Sequence, residues 1–146
     1  MSSCPSMQES VSYLLVQICK AHRNYAETLL NEMGLHTGQE IFLMQLWAEE
    51  GQSQSQLAES ICVQPATITK MLQRMEGGGL IERRPDQDDS RVSRVYLTDK
   101  SRELREQVEQ MWGELEARTM TNLSTDERIL LRRLLLQVQA NLVKAE

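Results

Sequence analysis

A mainly α fold with one small β-hairpin is what this sequence predicts, and three features carry the prediction. The first is an apolar pair, Leu80-Ile81, that runs into Arg83 and Arg84, crosses a polar stretch from Pro85 to Ser90, and returns as the β-prone Val95-Tyr96-Leu97. That is a two-stranded hairpin with a long polar tip. The second is a helix opened by Pro65 and stopped by Gly77-Gly78-Gly79 directly before the hairpin. The third is helical spacing of apolar residues on both sides of this block. Helix, glycine, strand, basic loop, strand is the order of a winged helix-turn-helix, here flanked by N- and C-terminal helices.

The elements follow in order. From Met7 to Met33, the positions Val11, Leu14, Leu15, Ile18, Ala21, Tyr25, Leu29, Leu30 and Met33 keep a helical period, and Gly34 is placed to end that helix. Thr37 with Glu40 three residues on reads as a capping box, opening a helix that buries Ile41, Leu43, Met44, Leu46, Trp47 and Ala48 and closes at Gly51. Ser53-Gln54-Ser55-Gln56 repeats the signature before Leu57, Ala58 and Ile61. A turn, Cys62-Val63-Gln64, leads to Pro65 at the first position of the next helix, whose stripe is Ile68, Met71, Leu72 and Met75. After Thr98 come two long helices with a break at 121–126. The first keeps Leu104, Val108, Met111, Trp112 and Leu115 on one side. The second is capped by Ser124 with Glu127 and carries Ile129, Leu130, Leu131, Leu134, Leu135, Leu136, Val138 and Leu142. So wide an apolar arc at a chain end suits an interface with a second copy. The domains expected are therefore an N-terminal dimerisation helix (1–33), a winged helix-turn-helix (34–98) and C-terminal dimerisation helices (99–146).

Length and charge fit that outline. A chain of 146 residues supports one ordinary domain with helical extensions. Its formal charge of −5 argues against binding polyanions by bulk charge, but the charge is unevenly spread. Residues 1–51 hold two basic side chains against six acidic, residues 52–100 seven of each, and residues 101–146 seven against eight. The middle segment is the least acidic, and its arginines gather at the hairpin. Cys4, Cys19 and Cys62 form no CxxC pair and are odd in number, so neither a disulfide framework nor a zinc site is expected. Cys19 and Cys62 read as small buried hydrophobes. No apolar run approaches the ~20 residues of a membrane span and the start has no secretory pattern, so a cytoplasmic, membrane-free protein is expected.

The chemistry lies on two surfaces. Thr67, Lys70 and Arg74 fall on the helix face opposite the apolar stripe, with Gln64 and Ala66 at its N-terminal end. Such a face offers a duplex base-edge and phosphate donors: Gln64 could pair with adenine and Ala66 could touch a thymine methyl. In the hairpin, Asp89 two residues before Arg91 suggests a carboxylate that orients a guanidinium toward a narrow minor groove, with Arg84 and Arg94 on the arms facing phosphates. The bland reading is a solvated helix face and a surface ion-pair loop of little energetic weight. The ordered combination of capped helix, polar face and wing favours DNA.

These residues resemble the MarR family of bacterial transcriptional regulators. The matching stretches are Gly34-Leu35-His36-Thr37 with Gln39, then Ser53 to Glu59, then Pro65 to Glu76. Most specific is the wing, Gly79 to Asp86 with Asp89, Arg91 and Leu97-Thr98. The resemblance covers roughly residues 8–145. It implies a homodimer that binds palindromic operator DNA, usually as a repressor, and releases it on binding a small phenolic or aromatic molecule or on cysteine oxidation. The implied DNA contacts are Ser53, Gln54, Ser55, Gln64, Pro65, Ala66, Thr67, Thr69, Lys70, Arg74, Arg84, Asp89, Arg91 and Arg94. The sequence departs from the family at Cys62, where glycine is common, and at Gln64, where a Ser-type cap is usual. The oxidation-sensing branch has a cysteine at the start of its first helix and tyrosines after it. Cys19 lies too far along, Cys4 is nearer in position but falls in a tail expected to be disordered, and His36-Thr37-Gly38-Gln39 replaces the tyrosines, so peroxide sensing is not expected.

His22, Tyr25, His36 and Trp47 are candidates for an effector pocket between the first two helices and the DNA-reading domain, although core aromatics more often only pack. Asp86, Asp88 and Asp89 superficially suggest a calcium loop but lack the glycine and distal glutamate at the required spacing. No metal or cofactor is expected. Nor is an enzyme: no nucleophile–base set or paired acids appear, and Gly77-Gly78-Gly79 follows a helix rather than the strand of a nucleotide loop. The competing function is a winged-helix protein-interaction module, which need not keep cationic donors on both helix and wing.

Overall fold

The computed structural model describes residues 6–61 and 65–143. A 3-10 turn, Met7–Glu9, precedes helix α1, Val11–Asn31, which starts where Ser10 Oγ accepts the Tyr13 N–H at 3.1 Å. Gly34, at φ +74°, ends it: Leu35 N–H donates to Leu30 O at 3.0 Å and Gly34 N–H to Asn31 O at 3.1 Å. This is the glycine-terminated closure expected. Along α1, only Ala26 and Leu30 are buried; Val11, Leu14, Val16 and Ile18 are 47–69% exposed. Cys19, expected inside, is exposed, on a stretch of α1 whose other large apolar side chains are also exposed.

Helix α2, Gln39–Ala48, begins differently from the expected Thr37 cap. Gly38 is the N-cap at φ +96°, and the reciprocal acceptors come from inside the helix. Gln39 Oε1 accepts His36 N–H at 3.0 Å and Glu40 Oε2 accepts Gly38 N–H at 2.9 Å. Thr37 Oγ1 is buried without a partner. Two long side chains reaching back displace the shorter hydroxyl. The buried side also differs, since Met44 and Ala48 are exposed while Phe42 is fully buried.

A two-residue strand, β1 (Gln52–Ser53), leads into α3 (Gln54–Ile61), where Ser53 and Gln56 exchange the two bonds of the expected capping box, at 2.8 and 3.1 Å. Helix α4, Pro65–Gly77, buries Ile68, Leu72 and Met75, with Met71 half-buried beside them. Its closure repeats that of α1: Gly79 sits at φ +75°, and Leu80 N–H donates to Met75 O at 2.9 Å. The wing strands β2 (Ile81–Pro85) and β3 (Ser93–Leu97) pair antiparallel from Ile81↔Leu97 to Pro85↔Ser93. β1 adds to the other edge of β3, giving the order β1-β3-β2 in place of the two-stranded hairpin expected. Ile81, Val95 and Leu97 turn inward onto a core shared with α2, α3 and α4.

The first C-terminal helix is split. α5 (Asp99–Glu103) is capped by Thr98 and Ser101, and α6 (Arg105–Thr119) follows after Leu104. Val108, Met111 and Leu115 are its buried positions. α7, Thr125–Val143, opens on the expected bonds between Ser124 and Glu127, at 2.9 and 3.2 Å. Hydrogen bonding to Ser124 holds the Glu127 carboxyl below its ordinary pKa. Packing divides the chain into two compact units between Trp112 and Gly113, inside α6. In the second unit, Arg128 ties the turn before α7 to the end of α6 through Leu123 O (3.0 Å) and Met120 O (3.2 Å). No described residue of α7 is buried, and Ile129, Leu130, Leu134, Leu135, Leu136 and Leu142 are 44–68% exposed.

Candidate nucleic-acid interface

α4 carries the first half of the surface. Burial of Ile68, Leu72 and Met75 fixes its roll, so Ala66, Thr67, Lys70 and Arg74 face outward together. Gln64 and the Pro65 side chain lie outside the described residues. Thr69 is half-buried, and its hydroxyl accepts a hydrogen bond from Gln54 Nε2 at 2.9 Å, joining α4 to α3. Ser53 is occupied in the α3 cap, while Ser55 is exposed. Two basic or hydroxyl side chains close the far end: Thr98 Oγ1 donates to Gly79 O at 2.6 Å and Lys100 Nζ to Gly78 O at 3.1 Å.

The wing supplies the second half. Asp89 Oδ1 accepts from Arg91 Nε at 3.1 Å and from Arg91 N–H at 3.0 Å, and Asp89 Oδ2 accepts from Arg91 Nη2 at 3.4 Å. Arg91 is thus held along one edge while its side chain stays 90% exposed. Its remaining N–H donors point away from that carboxylate, a presented rather than a buried fork. Arg84 lies over the Tyr96 ring at 4.4 Å and donates to Glu82 at 3.0 Å, remaining exposed on the β2 arm. Arg94 is committed inward. Its Nε donates to Asp86 Oδ1 at 2.5 Å and its Nη1 to Gly51 O at 2.9 Å. The Arg94 hydrogen bond, with those of the Asp89 and Asp88 backbone N–H groups, lowers the Asp86 pKa, and Asp86 in turn raises that of Arg94.

The four effector candidates do not share one hollow. His36 lines a hollow of about 290 Å³ with Leu35, Arg74, Leu80, Lys100 and Leu104. Trp47 lines another, about 310 Å³, with Met44, Val108, Trp112 and the paired Arg105 and Glu109. Its indole N–H donates to Ser101 O at 3.2 Å. His22 is exposed and Tyr25 half-buried on α1.

Glu50, absent from the sequence motifs, and Asp86, present there only as part of the wing pattern and without a role, also help to form the site. Glu50 Oε1 accepts from Leu97 N–H at 2.8 Å and from Arg102 Nη2 at 2.7 Å, tying the turn after α2 to β3 and α5. An aspartate two and three residues before exposed backbone N–H groups is a turn signal that could have singled out Asp86. Nothing local announces Glu50.

Helices α2 to α4, the β2–β3 wing and the β1 edge make this a winged helix-turn-helix protein. A model of the MarR family matches residues 39–93, from the start of α2 to the start of β3. The sequence is 28% identical to the HTH-type transcriptional regulator TtmR of Methylorubrum extorquens (strain PA1) over 123 residues, 84% of this chain and 62% of that one. It is 31% identical to the uncharacterized HTH-type transcriptional regulator YdgJ of Bacillus subtilis (strain 168) over 94 residues, 64% of this chain and 57% of that one. The chain therefore spans less than two thirds of the length of these curated relatives. Superposition on the S. aureus MepR–DNA complex gives a TM-score of 0.85 at 24% identity, covering 90% of this chain and 98% of that one. Over residues 39–93, the helix-turn-helix and first wing strand, the chain is similar to the MarR family.

Proposed function

We propose that the chain is a dimeric, non-enzymatic, cytoplasmic DNA-binding regulator of transcription, a repressor acting at palindromic operators. The observation that carries this reading is Arg91, held by Asp89 yet 90% exposed at the wing tip, together with the outward Thr67, Lys70 and Arg74 on α4. A guanidinium fixed along one edge loses little further freedom on entering a minor groove, where its charge is most useful. α4 then lies in the adjacent major groove, with Thr67 near base edges and Lys70 on a phosphate. The described helices include none long and apolar enough to cross a membrane. The similarly folded MepR is known as a complex with DNA, which points the same way.

Dimerisation is assigned to α1 and α7. Each exposes a run of large apolar side chains that a lone chain leaves in water, and burying one such side chain contributes about 1.5–3 kcal/mol. A two-fold pair of readers suits two half-sites about one helical turn apart. Release by a small aromatic or phenolic effector is best accommodated by the hollow beside His36. There Arg74 and Lys100 can meet an anionic group and Leu35, Leu80 and Leu104 an apolar ring. Arg74 belongs to α4, so a ligand there bears directly on the reading helix.

Recovery of bound duplexes from a random pool tests this reading. Enrichment of an inverted repeat, followed by its release with some member of a panel of aromatic acids and phenols, supports it in full. Failure to enrich any sequence favours the protein-interaction alternative.

A further inference from the structure

We propose that Asp86 is a positioning residue for DNA binding, the side chain that determines where the wing tip holds Arg91. The proposal rests on the DNA-binding reading and adds a residue that the contact set did not include. Both carboxylate oxygens of Asp86 are engaged. Oδ1 accepts from Arg94 Nε at 2.5 Å, while Oδ2 accepts the Asp88 and Asp89 backbone N–H groups at 3.1 and 3.0 Å. The Asp86 N–H donates to Val92 O at 2.8 Å and the Val92 N–H to Asp89 O at 3.0 Å, closing the loop tip around the same residue.

The bonds form a continuous path. Gly51 N–H donates to Val95 O at 2.9 Å, Arg94 Nη1 donates to Gly51 O at 2.9 Å, and Arg94 Nε reaches Asp86. Asp86 fixes the Asp89 backbone, and the Asp89 carboxylate holds Arg91. Asp86 is the one residue on this path that bonds both to Arg94 in the strand body and to the backbone of the turn that carries the reader. Its side chain is only 18% exposed, against 90% for Arg91, so it acts from beneath the contact surface. A carboxylate near DNA also repels phosphate. Here its charge is already matched by Arg94, which leaves orientation as the larger effect.

Affinity is measured for the wild type and for Asp86→Ala, Asp86→Asn, Arg91→Ala and Asp86→Ala/Arg91→Ala, on a duplex selected by the wild type. Asp86→Ala should weaken binding about tenfold. Asp86→Asn keeps an acceptor for the turn and should recover part of that loss. In the Asp86→Ala background, Arg91→Ala should cost markedly less than in the wild type, because the fork is no longer aimed. Binding by Asp86→Ala equal to or tighter than wild type overturns the proposal, as does an undiminished Arg91 effect. A DNA-free arm separates failure of this idea from failure of the DNA-binding reading. Amide exchange at Asp88 and Asp89 should accelerate in Asp86→Ala by more than its modest fall in melting temperature accounts for, and unchanged exchange rejects the positioning role whether or not any duplex is bound.

Discussion

Gln54 Nε2 donates to Thr69 Oγ1 at 2.9 Å, joining the first turn of α3 to the middle of α4. Both residues belong to the set implied for DNA contact, yet in the free protein they bind each other. The bond links the supporting helix directly to the reading helix.

Thr69→Val keeps shape but removes the acceptor, leaving a half-buried amide without this partner. The expected cost is about 0.5–1.5 kcal/mol of stability, read as a lower melting temperature. DNA affinity should fall with an unchanged salt dependence, since no charge is removed. An unchanged melting temperature would mean the bond does not hold the two helices.

Acid should loosen the wing, and the sign follows from Asp86. Its pKa is lowered on folding, first by the Arg94 hydrogen bond and then by the Asp89 and Asp88 backbone N–H groups. Stability from a depressed carboxylate is present above its ordinary unfolded value and is lost as pH falls through the folded value, so the window lies below about pH 4. Arg94 stays charged throughout, and Asp88 and Asp89 are the other acids in the turn. Asp86→Asn should remove this part of the acid limb in a pH series of melting temperatures, and an identical limb would contradict the assignment. Glu40 works in the opposite sense. Burial raises its pKa against the backbone bonds of Glu40 and Gly38, so its contribution is present at low pH and lost as pH rises through the folded value.

Leu135→Lys should weaken self-association and DNA binding together. Leu135 is 45% exposed on α7, within an apolar arc that gains only by being covered. Sedimentation at micromolar concentration should give twice the chain mass for the wild type and less for the variant. A wild-type monomer, with and without a selected duplex, would reject dimerisation through this helix.

The parts of the fold legible in sequence are those with short-range causes. Ser53 with Gln56 and Ser124 with Glu127 cap their helices as read, because each box spans three residues and has no local rival. At Thr37 a rival existed: Gly38 takes a left-handed conformation, and Gln39 and Glu40 satisfy the open N–H groups. The Asp89–Arg91 pair was legible because it is separated by two residues. β1 was not, since two polar residues carry no period and the strand exists only through pairing with Val95 and Arg94. The commitment of Arg94 to Gly51 O crosses 43 positions and likewise needs the fold. For Cys19, the usual burial of a free cysteine suggested a small core residue, whereas its position on α1 leaves it exposed.

The central claim is that α4 and the wing contact one duplex, and it is tested most directly by a salt series of affinities for wild type, Lys70→Ala and Arg91→Ala on a selected site. Arg91→Ala should cost about 1–3 kcal/mol at unchanged melting temperature, with Asp89→Ala costing less in the same direction. Lys70→Ala should reduce the salt slope by about one unit. Wild-type affinity and slope in both Arg91→Ala and Lys70→Ala would contradict the account.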